Sequence, residues 1–576
     1  MQSPTLDIVD DKFELRGTAY AQKELCKLIP GYRWNKARAA WQYPIGIVAA
    51  QAIFERFPDT VMSDVASARI AALHGASSAI VRMKADGKDA ADPIAEMPIK
   101  VKPFAHQVLA FNIGMTIPNI ALLCDMGTGK SLAMLAIAGA RYKRGDIDRM
   151  LVIAPSSVVP VWPQEFASFA DFEHAIEPLK GSGKKRAQVV DRLAGDDDNA
   201  LRVVVTNYEA TWRDPLYGAL MDFVSGGRTL VVCDESQRIK TPGAKQSRSM
   251  HALGAKAAYR AILTGTPITQ APMDFFSQYK FLDQSIFGRS FTVFRSRYAR
   301  MGGFEGREIV AYLNLEELEE RAHSVSYRVK REDAVDLPGS MPVYRYCELE
   351  PKARKIYDHL KAVSIAELDG MGHVTADNVL TQLLRLQQVT GGSVTDDDGN
   401  VQVVSEAKAK LFNEVLTDVL DAGDKAVVFA RFTADLDVIE AAIKRASVQW
   451  AGIRGSTPQS KRGSEVNRFQ TDPECKVFVA QIQTAGLGIT LTAASTAIFY
   501  GLDFSFANYD QALGRVDRIG QTRKVTNVHL LCQDTVDETV IEALKRKRNV
   551  ADAIVDGAWR DIISGKQYVH RSSFAK

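Results

Sequence analysis

At 576 residues with 46% hydrophobic content, the chain has enough apolar material for several cores and implies about three or four domains. Its formal net charge of only +3 leaves no global field, so a polyanion would have to be held by local patches. Six cysteines without CxxC spacing or histidine clustering argue against a disulfide framework or a structural zinc. An intracellular, reducing setting follows, cytoplasmic or nucleoid-associated. The first residues carry no basic segment followed by an apolar core, and no apolar run is long enough to cross a bilayer, so no membrane role is expected.

Residues 1–62 alternate short strand-like and helix-like pieces, and Pro30 to Pro44 reads as an aromatic, basic hairpin. Lys23, Lys27, Arg33, Lys36 and Arg38 face Glu24 alone across residues 23–38, a local excess of four positive charges and a candidate polyanion surface. Residues 63–98 read as a helix followed by a polar linker closed by Pro93.

From 99 to 285, short β-branched runs alternate with helical lengths: Ile120–Leu123, Met150–Ala154, Val203–Thr206, Leu230–Cys233 and Ala261–Thr264. Such runs suit strands buried on both faces of a parallel sheet. Residues 286–405 are more helical and charged. Buried-type strands resume at Ala426–Ala430, Lys476–Ala480 and Ala497–Tyr500, so a second α/β domain spans 406–545, followed by a tail over 546–576.

Within the first of these domains, Gly127-Thr128-Gly129-Lys130-Ser131 follows a strand and opens a helix, the setting of a phosphate loop, although Cys124 stands where that loop's first glycine belongs. Backbone amides at the helix start would take phosphate oxygens, Lys130 would reach the β- and γ-phosphates, and Ser131 would ligate Mg²⁺. Asp234 and Glu235 end an apolar run; Asp234 suits the metal and Glu235 suits the attacking water of phosphoryl transfer. Arg515 and Arg518 lie three residues apart, a spacing that puts both on one face of a helix, where they could meet a common anion, with Gln521 nearby to fix the approach.

These segments, with Phe104-Ala-His-Gln107, Thr206-Asn-Tyr-Glu209, Leu263-Thr-Gly-Thr-Pro267, Val427 to Phe432 and Thr484 to Ala493, resemble the SWI/SNF-type superfamily 2 ATPases over residues 100–545. The resemblance implies two tandem RecA-like parallel-sheet lobes with helical insertions, beside a small α+β amino-terminal domain. It assigns Gln107 to the adenine, Gly127, Thr128, Gly129, Lys130, Ser131 and Gly488 to ATP, and Ser131 and Asp234 to Mg²⁺. Arg515 and Arg518 become arginine fingers, Thr266 relays closure between lobes, and Thr206, Thr484 and Gly486 touch a nucleic-acid backbone. Ser236-Gln237 departs from the family's Ala-His after the acid pair, and Cys124-Asp125 from its acidic pair before Met126. Tyr327 to Asp333 and Leu383 to Gln388 resemble the linker between lobes, or are amphipathic helices that only pack. The amino-terminal segment resembles the HARP-like domain of annealing helicases at Ile29 to Gly31, Arg33-Trp34 and Trp41 to Pro44. Arg33, Lys36 and Arg38 are its candidate contacts to DNA, while Trp41 with Tyr43 reads as core.

The expected activity is an ATPase translocating on duplex, forked or partly single-stranded DNA without extensive unwinding, among replication, recombination or repair proteins. Two alternatives stand beside it: a strand-separating DNA or RNA helicase, and an ATP-gated DNA clamp with little turnover.

Overall fold

A computed structural model describes residues 3–555 apart from 88–91, 157, 196–198, 269–270, 303–307, 335–339, 371–375, 396–400, 488, 503 and 519. Two compact units divide the chain: residues 3–125 and 129–330 belong to the first, and Arg331–Asn549 with Met126–Thr128 to the second.

The first unit begins with strands β1 (Thr5–Val9), β2 (Lys12–Arg16), β3 (Arg33–Asn35), β4 (Ala40–Pro44) and β5 (Val61–Met62), ordered β3-β4-β2-β1-β5. Alternation along β2 and β4 sends Phe13, Leu15, Trp41 and Tyr43 into a small core closed by Ile53 of the helix Ile47–Arg56. Trp41 and Tyr43 are therefore core, as expected. Trp34 stays exposed on β3, its ring 5.1 Å from that of Trp41. This small domain rests on the helix Gln284–Phe287 by close backbone approach: a Cβ on Gly46 would lie 2.0 Å from Ser285 Oγ.

Seven parallel strands then form the larger sheet: β6 (Asn119–Cys124), β7 (Arg149–Ala154), β8 (His174–Pro178), β9 (Leu201–Asn207), β10 (Thr229–Asp234), β11 (Tyr259–Leu263) and β14 (Ser326–Val329). Their order is β14-β6-β11-β10-β7-β9-β8. All residues of β6, β7 and β10 are buried, as strands covered by helices on both faces must be. A hairpin of β12 (Ala299–Gly302) and β13 (Glu308–Tyr312) precedes β14. Tyr327 to Val329, read above as linker or amphipathic helix, is strand: β14 pairs along β6, Val329 opposite Cys124.

In the second unit, six parallel strands run β15-β22-β21-β18-β20-β19, with β15 Ser340–Cys347, β18 Ala426–Ala430, β19 Gln449–Ile453, β20 Cys475–Gln481, β21 Thr496–Phe499 and β22 Val525–Cys532. The short strands β16 (Ser393–Thr395) and β17 (Val401–Val403) pair antiparallel outside this sheet. Val428, Val479, Ile498 and Leu530 pack against Phe412, Leu416, Leu436 and Ile439 from the helices Ala407–Asp421 and Thr433–Arg445. Each unit is thus an α/β layer of the expected class.

Candidate functional site

In a parallel sheet every strand ends at the same edge, so the loops that follow β6, β11 and β10 share the carboxyl edge where α/β sheets bind ligands. β11 separates the other two, with Asp234 opposite Leu263 and Leu263 opposite Leu122.

The loop after β6 turns through left-handed backbone at Gly127 and Gly129, each with φ of 81°, and enters the helix Lys130–Lys143 directly. A side chain at Gly129 would be strained by that φ and would meet Gln107, whose Nε2 lies 2.1 Å from an added Cβ. Gln107, buried on the helix Ala105–Thr116, is thereby brought against the loop, its Oε1 accepting from the Phe104 amide at 3.0 Å. Lys130 Nζ donates to the carbonyls of Cys124 at 2.7 Å and Asp125 at 3.1 Å. Asp125 in turn pairs with Arg328 of β14 at 2.6 Å.

Asp234 ends β10 deeply buried. Trp162 Nε1 donates to its Oδ2 at 3.0 Å, the Glu235 amide to its Oδ1 at 3.0 Å, and the Tyr208 hydroxyl to its carbonyl at 2.7 Å. Burial, then the neighbouring Glu235 charge, pushes the Asp234 carboxyl up to about 7, while Lys130 is near enough to oppose the shift. A buried carboxylate raised in this way and the Ser131 hydroxyl in the first turn of the helix Lys130–Lys143 are hard-oxygen donors of the kind that suits Mg²⁺. Glu235 itself adopts φ of 53°, rare for a residue with a side chain and a place where backbone strain is stored.

Behind the acid pair runs a chain of hydrogen bonds. Gln237 Nε2 donates to Glu235 Oε2 at 2.9 Å, Thr264 Oγ1 to Gln237 Oε1 at 2.8 Å, and the Thr266 amide to Thr264 Oγ1 at 3.0 Å. Ser236 Oγ donates to Gln278 Oε1 at 2.7 Å, and Gln278 Nε2 to the Pro267 carbonyl at 2.7 Å. Sequence reasoning assigns no role to Trp162, Tyr208, Thr264 or Gln278. It marks Gln237 only as a departure, and no spacing distinguishes a lone tryptophan eight residues past a strand end.

Two expectations need correction. Arg515 and Arg518 do not share a helix face, because the helix Phe506–Val516 ends between them, Asp517 serving as its cap. The Arg515 carbonyl accepts the Leu491 amide at 2.9 Å, and Arg518 Nη1 donates to Thr490 Oγ1 at 3.0 Å, so this segment is stitched to the one after β20. Gln521 belongs to the same stitch, its amide donating to the Ala494 carbonyl at 2.7 Å. Secondly, Thr206 is 1% exposed within β9 and its hydroxyl meets no partner among the described residues, while Thr484 is buried with Oγ1 donating to the Gln481 carbonyl at 2.6 Å. Neither hydroxyl is presented to a nucleic-acid backbone in this structure. Gly486 lies in the short helix Ile482–Leu487, and Gly488 falls outside the described residues. On the small domain, Arg33 and Lys36 are exposed, whereas Arg38 pairs with the fully buried Glu14 at 2.9 Å.

Comparison with known proteins agrees with the sequence motifs. The SNF2-related domain matches residues 104–392, and the helicase conserved C-terminal domain matches 407–520. A Danio rerio relative, "Chromodomain-helicase-DNA-binding protein 1-like", is 25% identical over 451 residues, 75% of this chain and 41% of its own. An Arabidopsis thaliana relative, "Probable ATP-dependent DNA helicase CHR23", is 25% identical over 449 residues, 76% of this chain and 41% of its own. The chain therefore spans well under two thirds of the length of these curated relatives. Among solved structures, "Sulfolobus solfataricus SWI2/SNF2 ATPase core in complex with dsDNA" is similar at 26% identity and a TM-score of 0.37, covering 83% of this chain and 98% of that one. With half of its length matched by the SNF2-related domain and the helicase C-terminal domain behind it, the chain belongs to the SNF2-related family of the SWI/SNF type.

Proposed function

We propose that this chain hydrolyses ATP and couples hydrolysis to movement along duplex or branched DNA without extensive strand separation. The observation that carries the reading is the meeting of Gln107, Gly129 and Lys130 with the Asp234–Glu235 pair at one sheet edge. In this reading the backbone amides from Gly127 to Ser131 bind phosphate oxygens, Lys130 adds charge toward the β- and γ-phosphates, and Gln107 holds the base. Ser131 and Asp234 would hold Mg²⁺, which would supply charge neutralisation for phosphoryl transfer. Glu235 orients the attacking water and takes its proton, and Gln237 fixes the carboxylate through Oε2. Arg515 and Arg518 act as arginine fingers; this role rests on the family resemblance, and such groups contribute on the order of 10³–10⁵ in rate.

DNA as the track is supported by the family and by the names of the relatives, which describe a DNA-binding helicase and an ATP-dependent DNA helicase. Exposed Arg33, Lys36 and Trp34 give the small domain groups suited to phosphate and unpaired base. ATP turnover measured in parallel with single-stranded, duplex and forked DNA and with RNA tests the reading. Stimulation of several-fold or more by duplex or forked DNA, with no displacement of a paired strand, is expected. Stimulation by RNA alone, or by no nucleic acid, overturns it.

A further inference from the structure

Strands β15 and β22 lie side by side, and their register sets Cys347 directly opposite Cys532. Parallel neighbours are about 4.8 Å apart, inside the roughly 4.4–6.8 Å over which a disulfide can join two Cα positions. The two Sγ atoms are already 3.5 Å apart and share a hydrogen bond. Cys532 is buried, whereas Cys347 is partly exposed. The remaining four cysteines, 26, 124, 233 and 475, are all buried.

The surroundings divide the pair into an attacking and a resolving thiol. Lys408 is buried close by, its Nζ 2.5 Å from Asp537 Oδ2, and Thr390 Oγ1 donates to the other oxygen of Asp537 at 2.8 Å. The hydrogen bond with Cys532 lowers the Cys347 thiol below its ordinary range, against the effect of burial, and the Lys408 charge lowers it further. The same bond, followed by burial, raises Cys532.

We propose that Cys347 and Cys532 form a reversible oxidation site at which a peroxide converts the thiol pair into a disulfide joining β15 to β22. The Cys347 thiolate attacks one peroxide oxygen and the O–O bond breaks. This leaves a sulfenic acid on Cys347, and the departing hydroxide takes up the thiol proton as water. The Cys532 sulfur then displaces the sulfenic oxygen, which leaves with the second thiol proton as another water. Both thiols are oxidised by one electron each, and the peroxide is reduced to two waters. A dithiol reductant reverses the reaction by exchange. The bond would tie β15 to β22, the first and last strands in chain order of the second unit's sheet.

The test uses the full reduced chain exposed to hydrogen peroxide, followed by thiol counting and mass spectrometry of the digest. Two of the six thiols should disappear, one cross-linked peptide should join residues 347 and 532, and dithiothreitol should restore both. Cys532→Ser should instead accumulate a sulfenic acid on Cys347 that dimedone traps, and Cys347→Ser should keep its five remaining thiols at the same dose. Six thiols retained by the unsubstituted chain, a cross-link through any other cysteine, or Cys347 carried to the sulfinic acid without a cross-link would each overturn the proposal. These readouts on the unsubstituted chain do not depend on how a variant folds.

Discussion

Gln237 bridges Glu235 and Thr264, donating to the Glu235 carboxylate at 2.9 Å and accepting from the Thr264 hydroxyl at 2.8 Å. The residue that departs from the family's histidine is therefore the one that ties the acid pair to the loop after β11. Its short amide fills both roles, donor on one side and acceptor on the other.

The first prediction follows from that bridge. Gln237→Ala leaves the Glu235 carboxylate without its donor and Thr264 without its acceptor, while Lys130 and Asp234 are untouched. Turnover should fall by about tenfold or more with KM for ATP nearly unchanged, because orientation of the base matters to the chemical step and little to binding. Steady-state kinetics separate the two, and a rise in KM at constant kcat would show that Gln237 serves nucleotide binding instead.

Trp162→Phe removes the indole N–H that Asp234 accepts while keeping an aromatic body in the same packing. Without that donor the ionised form weakens, in a carboxyl already pushed up by burial. The Mg²⁺ concentration giving half-maximal turnover should rise several-fold, most clearly near pH 6.5. An unchanged Mg²⁺ dependence would count against Asp234 as a ligand.

Acid stability should report two buried histidines. His251 in the first unit, held by the Ser277 carbonyl, and His529 in the second, stacked on Phe499, are both lowered from 6.5 to about 4, mainly by burial. Between those values the unfolded chain binds the proton and the folded chain does not. Their contribution is thus complete above about pH 6.5 and is lost as pH falls toward 4, on the order of 3 kcal/mol for each. Denaturant midpoints measured from pH 7.5 to 4.5 should decline, and His251→Gln should flatten the decline of the first unit. An equal slope in that variant would refute the assignment.

For the small domain, Arg33→Ala with Lys36→Ala should weaken binding to forked DNA and lower its salt slope by up to about two, one for each phosphate no longer neutralised. Arg38 is left in place because its removal would take a partner from the buried Glu14 carboxylate and disturb the fold. Basal ATP turnover should not change, since neither residue lies near Lys130 or Asp234 in the chain. Unaltered affinity and slope would make this domain a structural element.

Residues buried on both faces were the legible ones. The apolar runs around Leu122, Val152, Val232, Val428 and Val479 sit in the middle of their sheets, where continuous burial leaves a pattern that only a strand explains. The edge strands β8, β14 and β15 were not legible. They are half exposed or short, and β15 includes Pro342, tolerable only because a strand edge needs no donor there. The phosphate loop and the acid pair were found because their chemistry fixes adjacent residues. Trp162, Tyr208 and Gln278 reach the same site from distant segments, and only the folded sheet brings them there. Helical spacing misled at Arg515 and Arg518, where the Leu491 amide takes the Arg515 carbonyl just as the helix stops.

The most direct measurement is ATP turnover by Glu235→Gln beside the unsubstituted chain, both saturated with duplex DNA, with nucleotide binding followed in the same samples. Glutamine keeps the shape and the Gln237 contact but cannot accept the water's proton, so turnover should fall by at least about 10²-fold while ATP affinity holds within a few-fold. Turnover within a few-fold of the unsubstituted chain, or binding that falls in step with turnover, would contradict the account of this site.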